Sequence, residues 1–224
     1  YHDLGPKVLS VIKFIKGVST GKIKNFSLDR FQFEADIDKQ GSISDIISAN
    51  QSLLVQIIKE PISTKGPRIS SELSFAGRFL VLVPFSNRIS ISQKIESREE
   101  KSRLKKLVQS IRPKGFGVIV RTVAKDKKVA ELDKDLKTLY KSWIELCKRI
   151  NGADMPSKVQ TELNRSSSIL RDIFNDSFTG IYVNQKSMYS EIKDYISQIA
   201  PKKQSILKPV SYTHLRAHET EAYR

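Results

Sequence analysis

Apolar and polar positions along the chain follow two periods, and each period marks a different kind of element. Residues 89–95, Ile-Ser-Ile-Ser-Gln-Lys-Ile, alternate with period two, as a strand with one buried face does. Shorter apolar runs predict strands over residues 53–59, over 78–83 with a stop at Pro84, over 118–122 after the break at Gly115-Phe116-Gly117, and over 180–183. Between residues 129 and 150 the spacing changes to three and four. Leu132, Leu136, Leu139, Tyr140, Trp143, Leu146, Cys147 and Ile150 form one stripe and predict the longest helix. Residues 97–110 predict another helix, with Leu104, Leu107, Val108 and Ile111 inward and Arg103, Lys105 and Lys106 on the other face. A third helix is expected over 157–174, with Val159, Leu163, Leu170, Ile173 and Phe174 inward, and a fourth over 187–199, ended by Pro201. The first fifty residues have the weakest pattern. Residues 17–50 read as a long loop or insertion with isolated aromatics at Phe26, Phe31 and Phe33 and a short strand around 30–35. Strands thus gather before about residue 122 and helices after it, with one late strand, so the fold class is α+β. No internal repeat is evident.

The 224 residues suffice for one large domain or two small ones. The longest apolar runs, such as residues 79–83, fall far short of the roughly 18 to 20 residues a membrane helix needs. Cys147 is the one cysteine, which excludes an internal disulfide framework and any multi-cysteine metal site and suits a reducing compartment. Its place on the helical stripe makes it a core residue rather than a reactive thiol. The chain opens at Tyr1 with no methionine and no signal-peptide pattern, so a truncated start is expected. Residues 210–220, Val-Ser-Tyr-Thr-His-Leu-Arg-Ala-His-Glu-Thr, read as the in-frame translation of a sequencing-library adapter. Residues 209–224 are therefore set aside as a scar, and the gene is expected to be cut off at its 3′ end.

The net charge of +15 is uneven: residues 61–150 hold 21 basic and 9 acidic side chains. Such a concentration suits a polyanion, nucleic acid first, or a lysine-rich solvated face; charge alone leaves both open. Catalytic machinery is not visible. Glu131, Asp133 and Asp135 stand beside lysines on one helix and read as solvated partners at i, i+4. No glycine-rich phosphate loop and no nucleophile with an adjacent base can be assembled, and His214 and His218 fall in the adapter-like stretch. No catalytic residue and no metal ligand is assigned. A phosphate site is the stronger candidate. Arg121 and Thr122 close a buried strand, offering a guanidinium fork and a hydroxyl at a strand end. Ala76-Gly77 precedes another strand, where backbone N–H groups can approach an anion. The plainer reading of Arg121 is an arginine that caps a sheet edge or pairs with an acid.

Several ordered blocks carry a family resemblance. They are Lys65-Gly-Pro-Arg-Ile-Ser-Ser-Glu-Leu-Ser-Phe-Ala-Gly-Arg-Phe-Leu-Val-Leu-Val-Pro84, Ile91-Ser-Gln-Lys-Ile-Glu96, Gly117-Val-Ile-Val-Arg-Thr122, Ser168-Ile-Leu-Arg-Asp-Ile-Phe-Asn-Asp176 and Ser205-Ile-Leu-Lys208. Over about residues 53–208 the chain resembles the ribonuclease E/G family. The resemblance implies a partial OB-type RNA-binding barrel over 1–71, with residues 17–50 inserted and the opening strands missing. It further implies a 5′-monophosphate sensor of strands and helices over 72–200 and the start of a ribonuclease H-like domain over 201–208. By the same resemblance Arg121 and Thr122 hold the RNA 5′ phosphate, Gly77 and Val81 line the pocket near the first nucleotide, and Lys65 contacts single-stranded RNA. Gln93 stands where the ribonuclease E branch has an arginine, as in the ribonuclease G branch. The family's magnesium-binding aspartates and zinc-binding cysteines belong downstream of this chain, and the barrel's stacking aromatics upstream of Tyr1. The chain itself is then expected to hold no cofactor and to cut nothing. Its parent would be a cytoplasmic, homo-oligomeric endoribonuclease acting on single-stranded RNA. The competing expectations are a non-catalytic single-stranded RNA-binding module and a ribosome-associated assembly factor.

Overall fold

Because residues 80–84 alternate, the strand they form can bury Leu80, Leu82 and Pro84 while leaving Val81 and Val83 half-buried. The computed structural model describes residues 5–37, 41–154, 156–161, 164–175 and 177–210. They fall into two compact units, Tyr1–Gln160 and Thr161–Arg224. The elements of the first unit are α1 (Val8–Ser19), β1 (Gln56–Lys59), β2 (Arg68–Ser70), β3 (Phe75–Ala76), β4 (Leu80–Pro84), β5 (Ile89–Ile91), α2 (Arg98–Ile111), β6 (Phe116–Val120) and α3 (Val129–Ile150). The fold class is α+β, as the patterning predicts.

Four strands form a mixed sheet in the order β3-β4-β6-β5. β4 pairs antiparallel with both β3 and β6, with Leu80 opposite Val120 and Ala76 opposite Val81. β5 pairs parallel to β6, and α2 supplies the crossover that a parallel pair requires. β6 buries Phe116, Val118 and Val120 against the helices while Ile119 points outward. The α3 stripe covers that inner face. Trp143, fully buried, has the rings of Phe14, Phe75, Phe85 and Phe116 at 5.2 to 6.2 Å. Its indole N–H donates to the Phe26 carbonyl at 2.9 Å. Gly115 turns the chain from α2 into β6 with φ of +81°, and a Cβ there would meet that of Leu28 at 2.5 Å.

The first fifty residues hold more structure than their pattern suggests. Val8, Val11, Phe14 and Val18 are buried on α1, and all but Val8 join the sheet's core together with Leu28. Residues 30–35 are not a strand. They run along α1 and bond to it: the Glu34 N–H donates to Ser10 Oγ at 2.9 Å, and Lys13 Nζ reaches the Gln32 carbonyl. A helix side chain, not a neighbouring strand, takes up that backbone. β1 and β2 form an antiparallel two-stranded ribbon with Ile57, Ile58 and Ile69 exposed. Among the described residues no barrel closes.

The second unit contains α4 (Arg165–Ile173), β7 (Ile181–Val183), α5 (Lys186–Ile199) and β8 (Leu207–Pro209), around Leu170, Val183, Ile192, Ile196 and Leu207. The helix expected over 157–174 is only its second half, because the Asn164 side chain caps the Ser167 N–H at 2.8 Å and starts the helix there. Val159 instead packs on the first unit's core, and Ile173 is exposed. Leu163 lies outside the described residues. β7 and β8 run parallel, and the Val210 N–H donates to the Val183 carbonyl at 3.0 Å, so Pro209 and Val210 are part of this pairing. The rest of the adapter-like stretch, including His214 and His218, lies outside the described residues, as does His2.

Candidate nucleic-acid interface

Register decides which of the singled-out residues meet. With Leu80 opposite Val120, the residue that follows β6, Arg121, falls opposite Phe79, and its N–H donates to the Phe79 carbonyl at 2.9 Å. The Arg121 guanidinium turns back to donate from Nη1 to the Gly77 carbonyl at 2.9 Å. Val81 sits across the strand pair from Ala76, next to the turn. At the end of parallel β5, the Ser92 N–H bonds the Val120 carbonyl, and the hydroxyls of Ser92 and Thr122 share a hydrogen bond of 2.8 Å. Gly77, Val81, Arg121 and Thr122 therefore gather at one end of the sheet. Lys65 belongs to another element: it is exposed at the tip of the β1–β2 ribbon, its backbone paired with Ile62. Gln93, also exposed, directly follows Ser92.

The turn between β3 and β4 holds an anion, and the anion is internal. Asp135, from the second turn of α3, accepts the backbone N–H groups of Arg78, Phe79 and Leu80 at 3.2, 2.9 and 3.0 Å. Gly77 allows this approach, since a Cβ there would stand 2.6 Å from Asp135 Oδ2. Burial pushes the Asp135 carboxyl above its usual range, against the opposing pull of its three N–H donors and the Arg121 charge. This corrects the reading of Asp135 as a solvated partner. Glu131 and Asp133 do behave so, pairing with Lys127 and Lys137. A signal existed: Asp135, three residues after Leu132 and four before Leu139, sits at the edge of the buried stripe rather than opposite it.

Further cations surround this end of the sheet. The guanidinium of Arg78 and the ammonium of Lys127 lie 5.4 and 5.7 Å from the centre of the Phe79 ring. The loop after Thr122 is anchored from α2. Arg103 makes two bonds of 2.6 Å to Glu100 and donates to the Lys127 carbonyl, while Glu100 Oε1 accepts the Asp126 N–H. Arg103, read as part of a basic helix face, is thus a tether. Among the described residues no three His, Cys, Asp or Glu side chains stand close enough to hold a metal ion, and no helix is long and apolar enough to cross a membrane.

Comparison with known proteins fits this geometry. The pattern of the Ribonuclease E/G family matches residues 74–221, well over half of the chain and all of the sheet that carries Arg121. The chain belongs to the Ribonuclease E/G family. It is 33% identical over 156 residues to Ribonuclease E of Synechocystis sp., covering 70% of this chain and 23% of that protein. It is 32% identical over 163 residues to Ribonuclease G of Haemophilus influenzae, covering 73% and 33%. With Ribonuclease G of Escherichia coli K12 it shares 31% identity over 166 residues, covering 74% and 34%. The chain thus spans between about a quarter and a third of the length of these family members.

Proposed function

We propose that this chain is the RNA-binding and 5′-monophosphate-sensing region of an endoribonuclease that acts on single-stranded RNA in RNA processing and decay. One observation carries the reading. Within the span that matches the family, Arg121 and Thr122 stand at the same sheet end as Gly77 and Val81, ringed by Arg78 and Lys127. A terminal phosphate there meets a guanidinium able to give parallel N–H bonds and a hydroxyl donor beside it. Residues 72–200 are assigned to the sensor, 1–71 to part of an OB-type barrel whose Lys65 touches the RNA backbone, and 201–208 to the opening of a ribonuclease H-like domain. The parent protein is assigned to the cytoplasm as a homo-oligomer. Its magnesium-dependent cutting and any zinc site are assigned to other parts of the parent protein. The chain alone is expected to bind RNA and cut nothing; metal-dependent cleavage by the pure chain would refute that part.

The test compares binding of the full chain to one short single-stranded RNA bearing either a 5′ monophosphate or a 5′ hydroxyl. A phosphate clasped by Arg121 is worth roughly 1.5 to 3 kcal/mol, about ten- to a hundredfold in affinity. Arg121→Ala should abolish that preference. Equal affinity for the two ends would leave only a surface that tracks the RNA backbone.

A further inference from the structure

We propose that Asp135 is a positioning residue for the phosphate site: seated in the Gly77–Leu80 turn, its carboxylate holds the Gly77 carbonyl where it orients the Arg121 guanidinium. The inference rests on the reading of Arg121 as the phosphate ligand. The chain of contacts has no slack in it. α3 is a 22-residue helix whose Leu132 and Leu136, on either side of Asp135, are buried, so its backbone cannot easily shift at that point. From there the carboxylate takes the N–H groups of Arg78, Phe79 and Leu80, 55 to 57 residues away in sequence. The remaining N–H of the turn, that of Gly77, donates to the Leu80 carbonyl at 2.8 Å. Every backbone donor of the turn is therefore engaged, and an arriving phosphate meets side chains there rather than the backbone. What the turn offers Arg121 is its outward carbonyl, 2.9 Å from Nη1. Gly77 is required at the centre because any Cβ would strike the carboxylate.

An acid next to a phosphate site raises an objection that also supplies the test. By Coulomb's law alone Asp135 repels the phosphate, so removing its charge should strengthen phosphate binding. If Asp135 instead positions Arg121, removal should weaken it, because a misdirected guanidinium loses its paired N–H bonds. The two accounts predict opposite signs.

The experiment measures affinity of the full chain for 5′-monophosphate and 5′-hydroxyl forms of one single-stranded RNA, with wild type, Asp135→Asn and Asp135→Glu, each checked for folding by thermal melting. Asp135→Asn is expected to cut the phosphate preference by about tenfold while changing affinity for the 5′-hydroxyl RNA by less than about twofold. Asp135→Glu keeps the charge but moves it by one methylene, so it should lower the preference by about threefold; it carries the test if the asparagine variant does not fold. An unchanged or increased preference in a folded variant overturns the positioning role and leaves the sensor reading intact. A wild-type chain with no preference overturns both.

Discussion

With no exposed surface and four phenylalanine rings around it, Trp143 fills the centre of the first unit, and its indole N–H satisfies the Phe26 carbonyl from a segment without regular structure. Trp143→Ala should cost about 3 to 5 kcal/mol in denaturant unfolding, through lost apolar burial and the cavity left behind. Trp143→Phe keeps most of the ring contact but orphans that carbonyl, costing about 1 to 3 kcal/mol. An unshifted midpoint in either variant would mean that residues 20–34 do not pack as described. One turn further along α3, burial pushes the Cys147 thiol up to about 12, so it carries no thiolate at neutral pH. The placement of Cys147 on the helical stripe made that legible from the sequence. Trp143's partners were not legible, because Phe14 and Phe26 lie in the stretch with the weakest pattern.

α2 shows how one element sets the position of a loop it does not contain. Ser97 caps it by accepting the Glu100 N–H at 3.2 Å. Glu100, held by Arg103 and by the Asp126 N–H, has its carboxyl lowered from about 4.5 to about 2. A carboxylate depressed in the folded state stabilises the fold fully above pH 4.5, and that contribution fades as the pH falls toward 2. Melting temperature should therefore drop between about pH 4.5 and 2, and Glu100→Gln should flatten that drop, starting lower at neutral pH and converging with wild type near pH 2. Parallel melting curves for the two proteins across that range would show that the Glu100–Arg103 tether does not hold the 121–128 loop.

At the scale of the molecule the governing feature is charge, +15 overall and concentrated in residues 61–150, where Arg78, Arg121 and Lys127 stand around one sheet end. Affinity for 5′-hydroxyl RNA should fall steeply with salt. About three neutralised phosphates would give roughly a twentyfold loss between about 50 and 200 mM salt. The preference for a 5′ monophosphate should be less sensitive, since it reports a single site with directed donors. A preference that vanished in step with overall affinity would point to general attraction instead.

Elements whose side-chain period matches their burial are legible from consecutive residues alone. α3 occupies the predicted residues 129–150, and β4, β6, α2 and α5 fall within two residues of the predicted bounds, because a stripe or an alternation is written in consecutive positions. Patterning also singled out Arg121, Thr122 and Gly77 at strand ends, while Val81 came only from the family resemblance. The tertiary structure alone decided what those residues touch. The anion in the Gly77 turn comes from a helix more than fifty residues downstream, and α1 is held by a core assembled from the far side of the chain. Contacts between residues so far apart leave no local period to read, and they form only when the sheet's register brings Arg121 opposite Phe79.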